Sequence, residues 1–457
     1  MAYRVIKSGN KYAVKKDGAQ RASKTFNSKA EADDYCDKMN GVSKEVRVVK
    51  NIAGKKGGKA FLIVVAILVI AAAVTLFFLY KKGIIKLPNR TTRKTTQAVT
   101  DTLEGVIYDD FQIHFMMLGN DKAGDSIYIK AGDNDILIDA GSTKGSASTL
   151  KEYINKYCTD GKLEYVIATH GDQDHISAFC GNEGIFKSYE CKTIIDFKYT
   201  TKSTATYNEY VSLRDAEVEG GAKHYYASEC WNNENGAQRE YTLSDKVTMK
   251  IIYNKYYFEL SDDENNHSVC TLFTYTNNGE EHNFLLTGDL EKKGEESVAA
   301  YYDKSTKEKT LPKVDLFKAG HHGSKTSSND CLLSLISPEI CVVSCCCGTD
   351  EYTENIENQF PTQQFIDRIA KYTDKVYITS TYQTLEIDKV VDGKIQINTS
   401  GFTAMNGNII ISIGTDNKVG IAASNNLIKL KDTEWFKKEI EKDGVKVRLR
   451  TTPNEWK

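Results

Sequence analysis

The chain has 457 residues, with 60 Lys+Arg against 62 Asp+Glu and 11 cysteines. That length accommodates two or three domains, and the near balance of charge excludes a uniformly basic or uniformly acidic molecule. The odd cysteine count and the run Cys345-Cys346-Cys347 fit a reducing compartment better than a disulfide scaffold.

Residues 1–45 read as a small α+β unit. "YRVIKSGNKYAVKKDGAQRASKTF" gives short strands broken at Gly9-Asn10 and Asp17-Gly18, both turn signals. "NSKAEADDYCDKMN" then starts a helix, with Asn27 or Ser28 as cap and Glu31 in the first turn. Through "YAVKKDGAQRASKTF" and "KAEA" this segment resembles a small bacterial domain of unknown function. It names no activity, and an unidentified protein is its expected partner. Lys15, Lys16, Arg21 and Lys24 make its face basic, which favours a solvated surface over a phosphate or lipid contact.

Residues 60–80, "AFLIVVAILVIAAAVTLFFLY", carry no charge. An apolar run of about 20 residues is long enough to cross a bilayer as a helix, and its distance from the start of the chain is wrong for a secretory signal. A single-pass membrane protein is therefore expected. Lysines flank both ends of the run, so charge does not orient it; the free-thiol pattern leans towards a cytoplasmic catalytic part. Residues 81–105, Thr-rich and basic, read as a linker.

From about Val106 the texture becomes strand-rich. "FQIHFMMLG", "DSIYIKAG" and "DILIDAG" are successive short strands, "KGSASTLKEYINKY" is a helix, and "LEYVIAT" is a buried strand. The pattern returns in "VTMKIIYN", "SVCTLFTYT", "HNFLLTGD", "VDLFKAG" and "EICVVSCCC". Two such halves, each followed by helices, predict two sheets packed face to face with helices outside, over residues 106–425. Residues 426–457 form a charged tail, expected as a helix followed by a short basic strand and packed against the domain edge.

Chemistry concentrates at strand ends. "ATHGDQDHISA" sets His170, Asp172, Asp174 and His175 in the loop after "LEYVI". Alternate residues of an extended segment share a face, so His170 and Asp172 suit one ion, and Asp174 with His175 a second. Two divalent ions about 3.5–4 Å apart activate water and stabilise a leaving oxygen. Asp289, past "FLLTG", is placed to bridge them. In "FKAGHHGSKTSS" one of His321 and His322 completes a metal site, and the other meets substrate or donates a proton. Ser324 and Lys325 suit an anionic contact or a helix start equally.

These motifs, in this order, resemble the metallo-β-lactamase fold, and residues 111–414 resemble the hydrolase domain of the ComEC-type competence proteins, which take part in DNA uptake. "MMLGNDKAGDSIYIKAGDNDILIDAG" looks like that family's opening motif, "NNHSVCTLF" its Asn-rich strand start, and "MNGNIIISI" its last strand. The resemblance implies an αββα sandwich with His170, Asp172, Asp174, His175, Asp289 and His321 or His322 at the metal. Asp139 supports the loop from behind, and His267 is the candidate for a further imidazole. His224 is expected to be structural. Asp174 and His322 carry the catalytic roles in this reading.

Asp172, where many such loops hold a histidine, hardens one site and shifts preference towards manganese while imidazole keeps zinc in play. It points to an anionic substrate. Two departures cut against the family pattern: its downstream His-Pro is Phe360-Pro361 here, and one membrane span makes no DNA channel. The expected activity is that of a membrane-anchored hydrolase with two divalent ions, zinc or manganese. A metal-activated hydroxide would cleave a phosphodiester in nucleic acid, a nucleotide or a phospholipid headgroup. The alternative is a membrane-tethered binding or regulatory module whose metal site is structural or inactive.

Overall fold

The computed structural model describes residues 3–8, 11–16, 24–39, 108–302 and 310–457. The expected membrane helix and linker lie outside the described residues, among which no helix is long and apolar enough to cross a membrane. The chain divides into two units, residues 1–97 and 98–457.

In the first unit β1 (Tyr3–Ser8), β2 (Lys11–Lys16) and β3 (Lys24–Phe26) form an antiparallel sheet against the helix Lys29–Met39. Val14, Ala32 and Cys36 make its small core. Of the two candidate caps, Ser28 is the one used: its hydroxyl accepts the Glu31 N–H at 3.2 Å, satisfying an end group the helix itself cannot.

The second unit opens with β4 (Tyr108–Phe115), β5 (Ile127–Ala131), β6 (Asn134–Ile138), β7 (Lys162–Ile167), β8 (Glu190–Asp196) and β9 (Lys223–Tyr226). There follow β10 (Glu240–Thr242), β11 (Val247–Ile251), β12 (Thr271–Asn277), β13 (Glu280–Leu286), β14 (Leu316–Lys318) and β15 (Ile340–Cys347). The last long strands are β16 (Val376–Val391), β17 (Lys394–Ala404), β18 (Ile409–Gly414) and β19 (Val419–Ala423). They build two eight-stranded sheets, ordered β19-β18-β4-β5-β6-β7-β8-β9 and β10 through β17. In each sheet antiparallel pairing gives way to parallel pairing in mid-sheet, at β6–β7 in one and β13–β14 in the other.

The period of two along each strand sorts side chains between layers. Ile127 and Ile129 of β5 face the opposite sheet while Tyr128 between them faces the outer helices; Ile136 and Ile138 of β6 do the same around Leu137. Between the sheets Phe111 meets Phe284 at 5.1 Å and Phe273 at 6.2 Å. Helices Ser146–Ile154 and Ala205–Glu219 cover the first sheet's outer face. Lys292–Tyr301, Asp330–Ile336 and Gln363–Ile369 cover the second. The result is four layers, helix–sheet–sheet–helix, whose three interfaces are the three apolar cores. Each fully buried large side chain contributes roughly 1.5–3 kcal/mol. All 11 cysteines are free thiols.

The tail departs from the expected helix and strand. Its helix is a single turn, Glu434–Lys437, followed by a hairpin of β20 (Glu439–Lys442) and β21 (Val445–Arg448). Asp443-Gly444, both at positive φ, is the two-residue turn that such hairpins favour, and it overrides the helical charge pattern. Trp435 and Phe436 are buried in the second sheet's outer core. Arg450, 3% exposed, donates to the carbonyls of Pro361 (2.7 Å), Ile356 (3.1 Å), Leu449 (2.6 Å) and Gln359.

Removing that guanidinium leaves buried carbonyls without donors, at a cost of roughly 3 kcal/mol. Arg450→Met is expected to lower the melting temperature by at least about 5 °C, whereas Arg448→Met, exposed on the same hairpin, leaves it unchanged in a thermal scan.

Candidate metal centre

The strand ends where pairing turns parallel carry the polar residues. β6 delivers Asp139, β7 delivers Thr169 and His170, β13 delivers Asp289, and β14 delivers His322. The two ends are tied together by Val269 N–H donating to the Thr169 carbonyl at 2.9 Å. Close backbone approach beneath the loop requires Gly141, because a Cβ there would lie 1.5 Å from the Asp174 carbonyl oxygen.

Asp174, His175, Asp289 and His322 offer ligand atoms that all lie within 4.8 Å of one another. His175 Nδ1 hydrogen-bonds to Asp139 Oδ2 at 2.8 Å, and its Nε2 lies 3.1 Å from Asp289 Oδ2. His322 Nδ1 donates to the Ser344 carbonyl at 2.7 Å. Its Nε2 sits 3.2 Å from Asp289 Oδ2 and 3.3 Å from Asp174 Oδ2, buried and without hydrogen-bond geometry to either. Both imidazoles are thus fixed through Nδ1 with Nε2 turned to the carboxylates, the second-partner arrangement that orients histidine towards a metal. Asp139 holds the loop itself as well, accepting from Thr169 N (2.7 Å) and Thr169 Oγ1 (2.7 Å).

Electrostatics point the same way. Burial opposes a charge on His322, yet Asp289 and Asp125 hold its pKa up at about 10. Burial also disfavours ionised Asp174 and Asp289, but His175 and His322 hold both below the usual carboxylate range. The same carboxylates favour protonation of both imidazoles, and a cation bound there would replace those protons. The donor set of imidazole and carboxylate fits a borderline or hard divalent ion.

His170 and Asp172 stand beside this group rather than inside it. His170 Nε2 lies 3.5 Å from Asp172 Oδ2, and Asp172 Oδ1 is ion-paired with Lys202. His321 is turned out: its Nδ1 bonds Glu291 at 2.8 Å. Successive positive φ values, 42° at His321 and 52° at His322, swing the two rings apart, so His322 reaches the cluster and His321 the rim. His267 is not brought in either; its Nε2 accepts the Ser261 N–H at 2.9 Å, which leaves the expected further imidazole engaged in its own loop. His224 pairs with Asp196 at 2.7 Å. Lys325 donates to Asn358 at 2.9 Å, and Ser324 bonds Thr326 at 2.8 Å.

Several participants escaped the sequence reading. Lys318, fully buried, donates to Asp289 Oδ1 at 2.9 Å and to the Gly288 carbonyl at 2.8 Å, and it pairs with Asp125. A lysine inside the apolar stretch "VDLFKAG" was its only signal. Tyr352 donates its hydroxyl to Asp174 Oδ2 at 2.5 Å. Phe360 packs its ring 5.4 Å from those of both Tyr352 and His321. Glu264 ties two loops together, accepting from Gly171 N (2.9 Å), Thr200 Oγ1 (2.8 Å), Thr201 N (2.6 Å) and Thr201 Oγ1 (2.9 Å).

Comparison with known proteins agrees with this geometry. Residues 119–188 match the metallo-beta-lactamase superfamily, and residues 3–41 match an uncharacterised protein family conserved in bacteria. The chain is 26% identical over 275 residues to recombination protein 2 of Haemophilus influenzae, covering 60% of this chain and 27% of that protein. It is 23% identical over 279 residues to ComE operon protein 3 of Bacillus subtilis, covering 58% of this chain and 31% of that protein. A stretch of 60 residues is 43% identical to competence protein ComA of Neisseria gonorrhoeae, 13% of this chain and 8% of that one. The chain therefore spans less than a third of the length of these relatives.

Two outcomes follow. His322→Ala is expected to weaken zinc binding by at least about tenfold while His321→Ala leaves it unchanged, measured by calorimetric titration. Burial alone would raise the Glu264 pKa, but His267 and the Thr200–Thr201 donors hold it at about 2. Its ionised form therefore stabilises the fold above the unfolded value near 4.5, by roughly 3 kcal/mol, and that stability is lost as pH falls from about 4.5 towards 2. Urea unfolding at pH 7, 5 and 3 is expected to show Glu264→Gln less stable than the parent at pH 7, with the gap narrowed to about half or less at pH 3.

Proposed function

We propose that this chain, which carries a metallo-β-lactamase domain homologous to competence proteins, is a metal-dependent hydrolase cleaving a phosphodiester and anchored in a membrane through residues 60–80. The hydrolase reading is carried by the convergence of two oriented imidazoles and two carboxylates at one buried point. Divalent ions held by Asp174, His175, Asp289 and His322, with His170 and Asp172 beside them, would supply an activated water and neutralise phosphoryl charge. The protein's own groups set the conditions for it. Asp139 and the Ser344 carbonyl keep the imidazoles in one orientation. Lys318 offsets part of the carboxylate charge and holds Asp289 Oδ1, leaving Oδ2 to face the histidines.

Zinc and manganese are both compatible with this donor set. A phosphodiester is preferred because a cation-loaded site with an oxygen-rich shell attracts an anionic substrate, and single- or double-stranded DNA is the first to try. A nucleotide or a phospholipid headgroup comes second. A different class of function, a membrane-tethered regulatory module with an inactive centre, is favoured by one observation. The aromatic pair Tyr352 and Phe360 closes the rim where the family pattern has a histidine.

The deciding assay is hydrolysis of bis(p-nitrophenyl) phosphate by the full chain with zinc or manganese. Turnover is expected in the parent, and a loss of at least about 100-fold in Asp289→Ala with the fold retained by circular dichroism. A parent that binds metal yet turns over no phosphodiester with either ion would favour the regulatory module.

A further inference from the structure

The two metal positions implied by the loop are not equivalent in this structure. One is a closed four-residue cluster. The other, His170 with Asp172, already has a cation: Lys202 pairs with Asp172 Oδ1. His170 Nε2, on a fully buried ring, has no hydrogen-bond partner and lies 3.5 Å from Asp172 Oδ2, so a lone pair waits next to a carboxylate that the lysine neutralises. We propose that Lys202 is a built-in cation that competes with the ion at His170 and Asp172, so that the chain binds one divalent ion tightly and a second more weakly, against the lysine's charge. This rests on the metal reading given above and extends it to occupancy.

The placement of Lys202 is built by its surroundings. Its backbone N–H donates to Thr200 Oγ1 at 2.9 Å. Glu264, buried, accepts from Thr200 and Thr201 on one side and from Gly171 on the other. Gly171 is the residue between His170 and Asp172, so one carboxylate clamps the lysine's loop to the metal loop. The ammonium therefore reaches Asp172 from a fixed base, not from a free strand. Asp172 and Lys202 line a cleft of about 510 Å³ together with Asp262, Asp263, Glu264, Asn265 and Lys293.

Electrostatics fixes the sign. A divalent ion at His170 Nε2 and Asp172 Oδ2 would sit one carboxylate away from the ammonium on Oδ1, at short range, so each cation weakens the other's hold on Asp172. Both partners are partly exposed, at 29% and 25% of their side chains, so the ion pair is worth a modest amount and the second ion is weakened rather than excluded. Removing the charge while keeping the chain length should tighten the second position and leave the first as it was.

The test uses the full chain, stripped of metal and titrated with zinc chloride and with manganese chloride by calorimetry, with metal content measured after gel filtration. The parent is expected to keep about one zinc per chain and to bind a second more weakly. Lys202→Met is expected to keep about two, its second dissociation constant lowered about five- to tenfold and its first unchanged. Lys202→Ala serves as a second variant, and thermal melting checks that both fold. Two equal sites in the parent, or a second constant unmoved in both variants, would overturn the competition while leaving the metal site intact. A parent that binds neither ion would overturn the metal reading and this inference with it.

Discussion

The domain depends on how it tolerates carboxylates in its interior. Asp125, Asp139, Asp174 and Asp289 lie within a few residues' reach of one another, and three of them are at most 1% exposed. An unpaired buried charge costs several kcal/mol, so such a group survives only with cations distributed through it. Lys318 supplies one, permanently, from inside a strand. His175 and His322 can supply others, because the surrounding carboxylates favour their protonated forms. The groups that offset the buried carboxylates are therefore the same ones that form the candidate metal cluster.

The sheets explain why these groups meet. Each sheet passes from antiparallel to parallel pairing in its middle. A parallel strand must be re-entered through a crossover, so the loops leaving β6, β7, β13 and β14 all emerge at one end. Clefts at such a change of direction are where open α/β sheets place ligands. Stacking the sheets brings the two sets of loops face to face, and the bond from Val269 to Thr169 locks their registration. Neither sheet alone holds the whole candidate cluster: Asp174 and His175 come from one, Asp289 and His322 from the other.

Much of this was legible in the chain itself. Apolar strands ending in Gly-Asp, His-x-Asp-x-Asp-His or Gly-His-His announce their chemistry, because polar side chains directly after a buried strand have no structural reason to cluster. The limits were equally physical. Extended backbone separates neighbouring side chains, but it does not say which of two points inward; positive φ at His321 and His322 made that choice. His267 was expected as a ligand because the resemblance places a further imidazole near residues 265–267, whereas a short loop folds its ring back onto Ser261. Lys318 and Glu264 were overlooked for the opposite reason, since their function is to satisfy other groups and no short motif encodes that.

Residues 426–457 look separable in sequence, being charged and following the last long strand. Yet Arg450 collects the carbonyls of Ile356, Gln359 and Pro361, and those residues flank Phe360, whose ring rests on His321 and Tyr352. Tyr352 in turn reaches Asp174. A buried guanidinium at the edge of the domain thus fixes the loop that forms one wall of the metal centre. Because a guanidinium offers five donors in a rigid fork, it holds several carbonyls in one geometry where a lysine would hold fewer. The wall that Phe360 and Tyr352 form is therefore a supported surface, shaped by the tail, and its aromatic character is a property of the site rather than of a loose loop.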